Sequence, residues 1–447
     1  MPCPFGFGRP PAAPASEAPE TNAGGTNRRN VLFGLGAGGG ALLASLPGRE
    51  AQAAPAASGL PGVGQTATAE NANQRQPFYG RYQSGIVNPR PQFGLTVAFD
   101  SLATSRPDLE KLFRLLTTRI AFLTQGGTVE QIDPKFPPLD SGLLGPTVVP
   151  RNLTVTMSLG ASLFDDRYGL AHSKPKHLMA MQQFPNDELE SGLCGGDILL
   201  QICSDTSDVN IHALRDIVKQ TSALLAVRWK MEGFLPNPND PSTKNETARN
   251  FLGFKDGTAN PPSSDAQLMH ELVWVKPGND EPGWAENGSY QAVRLIRMFV
   301  ERWDRTPLQE QETIFGRAKT SGAPLGYQNE TDIPDYAADP RGLKVPLTAH
   351  MRLANPRTKE AMATRILRRP FNYSRGADKA GQLDMGLLFI CYQADLAKGF
   401  IAAQTRLNGE PLEEYIKPFG GGYFFAVPGV QDKDHYLGQG LIESISA

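Results

Sequence analysis

The chain has 447 residues, of which 44 are lysine or arginine and 46 are aspartate or glutamate, giving a formal net charge of −2. This balance gives no indication of nucleic-acid binding or of binding to an acidic membrane surface. The length exceeds what one ordinary hydrophobic core organises. We therefore expect two domains after any leader is removed, and a small or buried ligand as the partner.

Residues 1–76 are rich in proline, alanine and glycine and show neither helical nor strand periodicity. Arg28 and Arg29 precede an apolar run at 31–46, and residues 51–53 have the small-x-small pattern that signal peptidase reads. The run is shorter than the ~20 residues of a membrane span and is interrupted by glycines, which favours a cleaved signal over an anchor. We therefore expect 1–76 to be a twin-arginine signal peptide and unfolded linker.

This leader has two consequences for function. It predicts the twin-arginine translocase as a partner and a periplasmic or otherwise exported mature protein. Because that route carries proteins that have already folded, the leader also favours a protein whose cofactor is inserted before export.

Strand and helix patterns alternate along the first half of the folded region. The predicted elements, in chain order, are a strand at 94–100, a helix at 106–125, strands at 153–160 and 196–203, a helix at 209–225 and a strand at 226–231. This is the order βαββαβ.

The same order returns in the second half. The predicted elements are a strand at 290–299, a helix at 307–319, strands at 366–373 and 386–393, a helix at 396–407 and a strand at 423–427. Two such units predict an α+β fold of two ferredoxin-like domains with antiparallel sheets, at 77–245 and 246–447. The polar stretch 236–246 indicates the boundary, although a loop inside either domain has the same composition.

Two long connections, at 250–289 and 320–347, exceed ordinary loops and are typical of binding or active-site structures. The first contains GFKDGTANP, residues 253–261, where Asp256 lies between glycines that allow a sharp turn or a close approach to a flat ligand. Taken alone, Asp256 is also explained as the cap of a tight turn.

The segment AHMRLANPRT, residues 349–358, places a lone His350 among arginines. A neutral imidazole is the commonest proximal ligand of haem iron, and nearby Arg352 or Arg357 are able to pair with haem propionates. An isolated histidine is more often a surface or hydrogen-bonded core residue, and His172 and His177 lack a third ligand for a metal site.

In ILRRPFNYSRG, residues 366–376, Arg368 and Arg369 are explained on their own as a solvated charge pair at a strand end.

Beyond the leader, the chain has three cysteines, Cys194, Cys203 and Cys391, without metal-ligand spacing. A disulfide between Cys194 and Cys203 is one possibility.

In this order, GFKDGTANP, AHMRLANPR, ILRRPFNYS and GLLFICYQ (386–393) resemble the motifs of the dye-decolourising (DyP-type) haem peroxidases. The likeness is strongest to the twin-arginine-exported subgroup associated with bacterial iron uptake (EfeB-like), and it extends over nearly the whole chain after about residue 77. It implies haem b, held mainly by the C-terminal domain.

Carried over by position, the resemblance makes His350 the ligand of the haem iron and makes Asp256 and Arg368 the catalytic pair on its distal side. It further implies that Asp384 is the carboxylate behind His350. The residues implied to contact the haem are Gly257, Thr258, Ala259, Asn355, Pro356 and Arg357. Leu387 and Phe389 are expected to line the distal side of the haem pocket.

The implied activity is reduction of hydrogen peroxide with oxidation of dyes or other one-electron donors, with Tyr336, Tyr373 and Trp303 as candidates for the electron route. One alternative is a haem-handling protein of iron uptake, either a deferrochelatase that releases iron from haem or a haem carrier. Iron-uptake components would then be partners, and a homo-oligomer is compatible with either reading. A ferredoxin-like binding module without haem is the third possibility.

Overall fold

The computed structural model describes residues 74–236, 246–278 and 280–444, all of which belong to one compact unit at 65–447. The predicted twin-arginine signal lies outside the described residues, as does most of the polar stretch at 236–246. Among the described helices, none combines the length and apolar character needed to cross a membrane.

The first half forms a four-stranded antiparallel sheet in the order β4-β5-β1-β6. Helix α1 begins where the Ser105 side chain accepts a hydrogen bond from the Asp108 N–H, an N-cap that satisfies an otherwise unpaired donor. The elements are β1 (Phe93–Ser101), α1 (Arg106–Gln125), β2 (Gly127–Thr128), β3 (Thr147–Val148), β4 (Thr154–Gly160), β5 (Ile198–Ser204), α2 (Ser207–Thr221) and β6 (Leu225–Phe234).

The second half repeats this arrangement, with the strand order β9-β10-β7-β11. The elements are α3 (Ala266–Leu272), β7 (Ser289–Met298), α4 (Val300–Trp303), α5 (Leu308–Phe315), α6 (His350–Ala354), α7 (Lys359–Ala363), β8 (Leu367–Arg368), β9 (Phe371–Ala377), β10 (Leu383–Gln393), a π-helical turn (Ala397–Ile401), α8 (Ala402–Leu407), β11 (Ile416–Ala426) and α9 (Gln439–Glu443). Both halves have the strand order of a ferredoxin-like domain, and the predicted fold class is confirmed.

The two sheets join at both edges, where β4 pairs with β11 and Phe234 of β6 pairs with Asn372 of β9. Side chains alternate along each strand. In β1, Leu95, Val97 and Phe99 pack in the core that contains the buried face of α1, while Ala98 belongs to a second core between the sheets. The two joined sheets therefore carry the long connections at 250–289 and 320–347, which leave the strands and helices of the C-terminal half.

Several predicted elements differ from the observed ones for local reasons. The single strand predicted at 366–373 is two strands, because Pro370 has no N–H to donate to a ladder. The helix predicted at 307–319 ends at Phe315, where Gly316 adopts a left-handed C-cap with φ of 81°. The helix predicted at 396–407 begins with a π-helical turn.

The possible disulfide between Cys194 and Cys203 does not form. Both are free thiols, as is Cys391, the third cysteine of the described residues. Cys203 is fully buried in the core between the sheets, and burial raises the pKa of its thiol to about 11. It behaves as a small apolar core residue.

Candidate active site

A cavity of about 1800 Å³, including its open mouth, lies in the C-terminal half. Its wall brings together residues of all four sequence motifs, which lie at 253–261, 349–358, 366–376 and 386–393. The predicted site residues that line it are Asp256, Gly257, Thr258, Ala259, His350, Asn355, Arg357 and Arg368, together with Leu387 and Phe389.

His350 is the first residue of α6 and faces this cavity with its ring near Phe315, at 5.9 Å between ring centroids. Its Nδ1 lies 2.8 and 3.0 Å from the two carboxylate oxygens of Glu410. Burial alone would lower the pKa of His350, but the charge and hydrogen bond of Glu410 outweigh it and raise that pKa. Because the carboxylate holds Nδ1, Nε2 is the ring nitrogen available to a ligand.

The prediction that Asp384 lies behind His350 is wrong. Asp384 is on β10 and forms an ion pair with Arg375, at 2.8 Å between Nη2 and Oδ2. Glu410, only 5% exposed, takes the predicted place. A buried carboxylate that accepts the second N–H of a ligating imidazole fixes the ring and makes it more basic, and Glu410, not Asp384, has the position for this role.

Asp256 and Arg368 form an ion pair on the cavity wall, with 2.7 Å between Oδ1 and Nη1. Their side chains are 15% and 27% exposed, so the pair is largely withdrawn from solvent while still facing the cavity. The Asp256 N–H donates to the Ala248 carbonyl, which fixes the loop, and Arg368 lies on β8, where it pairs with Cys391 of β10. One carboxylate and one permanent cation are therefore held side by side.

The glycine after Asp256 lets the loop run close to its neighbours. Gly257 has φ of 155°, and a Cβ at this position would lie 3.2 Å from Cγ2 of Thr247. Thr258, which follows, donates its hydroxyl hydrogen to Oε1 of Glu330 at 2.7 Å. The backbone here comes close to the cavity because no side chain intervenes.

Asn355 and Arg357 line the cavity, whereas Pro356 between them does not. Arg357 adopts a left-handed backbone conformation with φ of 59°, and within the described chain its buried Nε has no hydrogen-bond partner. Arg352, the other arginine of this segment, is committed elsewhere: it donates to Asp339 and to the Val345 carbonyl. Arg357 is therefore the member of the pair available to an anionic group.

Sequence reasoning also missed Glu330, in the insertion at 320–347. Its carboxylate accepts hydrogen bonds from Thr247, Lys255 and Thr258, the last two of which flank Asp256 and Gly257. Burial alone would raise the pKa of Glu330, but these hydrogen bonds and the charge of Lys255 lower it below the ordinary value of 4.5. The ionised carboxylate thereby holds the loop that presents Asp256.

Other candidates from the sequence do not enter the site. Arg369 is buried away from it, and His177 faces Asp395 at 3.6 Å. Among the described residues, no group of three or more histidine, cysteine or acidic side chains has a metal-binding arrangement. Trp303 packs against Phe315 with 5.7 Å between ring centroids, one side chain away from the cavity wall.

Comparisons with known proteins agree with this architecture. The chain matches the family models "Dyp-type peroxidase, N-terminal" over residues 83–235 and "Dyp-type peroxidase, C-terminal" over residues 247–431. Proteins named Deferrochelatase from Escherichia coli O157:H7 and Shigella sonnei (strain Ss046) are each 56% identical over 417 residues, which cover 93% of this chain and 97% of theirs.

Two solved structures extend the similarity to the fold. Ferric DtpA from Streptomyces lividans is 34% identical with a TM-score of 0.75, covering 85% of this chain and 100% of that one. A DyP-type peroxidase from Cellulomonas bogoriensis is 35% identical with a TM-score of 0.74, covering 83% and 99%. The chain belongs to the Dyp-type peroxidase family.

Proposed function

We propose that this protein is a haem b peroxidase that reduces hydrogen peroxide and oxidises dyes or other one-electron donors. One observation carries the proposal: a single cavity presents a carboxylate-backed imidazole, His350 with Glu410, together with the ion pair of Asp256 and Arg368. The family comparison supports the same activity.

The residues present fit a haem. Nε2 of His350 is free to bind iron while Glu410 holds the opposite ring nitrogen. The unpaired Nε of Arg357, within the described chain, and the neighbouring Arg365 on the same wall are suited to propionates. Apolar side chains such as Leu387, Phe389 and Phe315 complete a wall for a flat, apolar ring.

When bound, haem would supply a redox-active iron for the two-electron reduction of peroxide. Asp256 then accepts the proton of one peroxide oxygen and returns it to the other, which leaves as water. Arg368 stabilises the negative charge that develops as the O–O bond breaks, and its contact with Asp256 holds that carboxylate in place. The two residues divide proton transfer and charge stabilisation between them.

The test of this division is Arg368→Leu. Loss of one preorganised charge-stabilising group typically lowers a rate by ~10²–10³, so we expect a fall of this size in peroxide reduction with haem content unchanged. Arg357→Leu is the matched control, since it removes another cavity arginine and is expected to weaken haem retention without a specific loss in the peroxide step. A fully haem-loaded Arg368→Leu protein with the wild-type rate would contradict the proposal.

A second activity, release of iron from haem, is favoured by the 56% identity to proteins named Deferrochelatase. The two activities are separable by product. Incubation of the holoprotein with a ferrous chelator should give porphyrin fluorescence and a coloured chelate if iron is released, whereas dye oxidation with intact haem indicates peroxidase activity alone. Iron-uptake components are the partners that this second activity would require.

We also propose export by the twin-arginine route with cleavage of the leader, supported by Arg28, Arg29 and the apolar run that follows them. Replacing both arginines by lysine should retain the full-length protein in the cytoplasm in a cell fractionation experiment. Export of the double variant at the wild-type level would refute this. A homo-oligomer stays a prediction, checked by light scattering.

A further inference from the structure

The side chain of Asn260 forms two reciprocal hydrogen bonds with the backbone of Arg368. The Arg368 N–H donates to Oδ1 of Asn260 at 2.8 Å, and Nδ2 of Asn260 donates to the Arg368 carbonyl at 3.0 Å. Asn260 is itself fixed, because its own N–H donates to the Gly257 carbonyl at 2.9 Å. The turn that it closes begins immediately after Asp256.

Arg368 lies on a strand that needs this support. Strand β8 has two residues and, within the described chain, pairs only with β10, through Leu367 with Tyr392 and Arg368 with Cys391. The N–H and C=O of a strand residue point to the same side, and both of those of Arg368 are taken by Asn260. The amide of Asn260 thus replaces the neighbouring strand that β8 lacks, and it satisfies two backbone groups.

We infer that Asn260 is a positioning residue for Arg368, coupling β8 to the loop that carries Asp256. The loop then holds both members of the distal pair: Asp256 directly, and Arg368 through the Asn260 amide. Nη1 of Arg368 consequently stays 2.7 Å from Oδ1 of Asp256. This inference rests on the proposed function, since it assigns the coupling a role in peroxide cleavage.

The experiment is a double-mutant cycle on the holoprotein with Asn260→Ala, Arg368→Leu and the combined variant. The readouts are the rate of peroxide reduction, the cyanide dissociation constant of the ferric haem, haem content and the melting temperature. Because a misplacement of about 1 Å can cost ~100-fold in rate, we expect Asn260→Ala to lower the rate and the cyanide affinity by roughly 10- to 100-fold. In the Arg368→Leu background, Asn260→Ala should change neither the rate nor the cyanide affinity.

Asn250→Ala is the matched control. Asn250 also holds this loop, accepting hydrogen bonds from the N–H groups of Leu252 and Phe254, but neither of these contacts involves Arg368. Its effect should therefore be the same in both backgrounds, as expected of general loosening of the loop.

The outcomes separate the inference from the function on which it rests. The positioning role would be overturned if Asn260→Ala lowered the rate and the cyanide affinity equally in the wild-type and Arg368→Leu backgrounds. It would also be overturned if Asn250→Ala showed as large a difference between the two backgrounds as Asn260→Ala. An unchanged rate and cyanide affinity in Asn260→Ala would also overturn it. If Arg368→Leu alone left the rate unchanged, the proposed function itself would fail.

Discussion

Replacing Glu410, the carboxylate behind His350, tests how its negative charge affects haem affinity and the reduction potential of the iron. Glu410→Gln keeps the shape and one hydrogen-bond acceptor but removes the negative charge that lies 2.8 Å from Nδ1. Hydrogen bonds to charged groups contribute about 1.5–3 kcal/mol. Loss of such an outer partner typically lowers metal affinity by ~10- to 100-fold, and we expect haem affinity to fall toward the lower end of that range.

The charge should matter more for ferric than for ferrous haem, because a more basic imidazole stabilises the higher oxidation state. Each tenfold loss of ferric relative to ferrous affinity raises the reduction potential by about 59 mV for one electron. The assays are a potentiometric titration followed by absorbance, and the rate of haem transfer to an excess of an apoprotein acceptor. In Glu410→Gln, the reduction potential should rise and haem should transfer to the acceptor faster than in wild type.

Asp384→Asn is the control, since it neutralises the carboxylate that sequence analysis placed here and that instead pairs with Arg375. We expect its potential to remain at the wild-type value. A raised potential in Asp384→Asn together with an unchanged one in Glu410→Gln would refute the assignment of Glu410.

Two further predictions concern stability and thiol chemistry. Because the pKa of Glu330 is lowered in the folded state, its contribution to stability is fully present above its ordinary pKa of 4.5 and is lost as the pH falls through the lower folded value. The melting temperature gap between wild type and Glu330→Gln should therefore be largest near neutral pH and shrink below 4.5; a gap that widens in acid would contradict this sign. For the cysteines, iodoacetamide treatment of the native protein followed by peptide mapping should label the half-buried Cys194 and spare Cys203, whose burial raises its thiol pKa to about 11. Equal labelling of both would show that Cys203 is accessible.

The sheets were predictable from the sequence because burial on both faces leaves largely apolar runs such as that of β5, which is buried along its whole length and is interrupted by Gln201. Their ends were less predictable. Pro370 splits one predicted strand and Gly316 ends one predicted helix early, and both residues act through backbone geometry at a single position. Hydrophobic periodicity does not register such local stops.

Most predicted site residues that lie in the sequence motifs line the cavity, although Pro356 does not. The residues that hold His350 and Arg368 from another part of the chain were not predicted. Glu410 lies 60 residues from His350 in the chain, and Asn260 lies 108 from Arg368. No spacing rule relates such pairs, because the contact exists only after two sheets and two insertions have packed. Asp384 was misassigned for the same reason: resemblance by position could not show which carboxylate reaches Nδ1.

Ligation of the haem iron by His350 and peroxidase activity are tested together by the absorption spectra of wild type and His350→Ala, each recorded before and after one equivalent of hydrogen peroxide. We expect a Soret band in wild type that shifts on addition of peroxide, and a band that is lost or grossly altered in the variant. An unchanged spectrum in His350→Ala would mean that another residue binds the iron. A wild-type haem spectrum that does not respond to peroxide would contradict peroxidase activity and leave haem handling as the function.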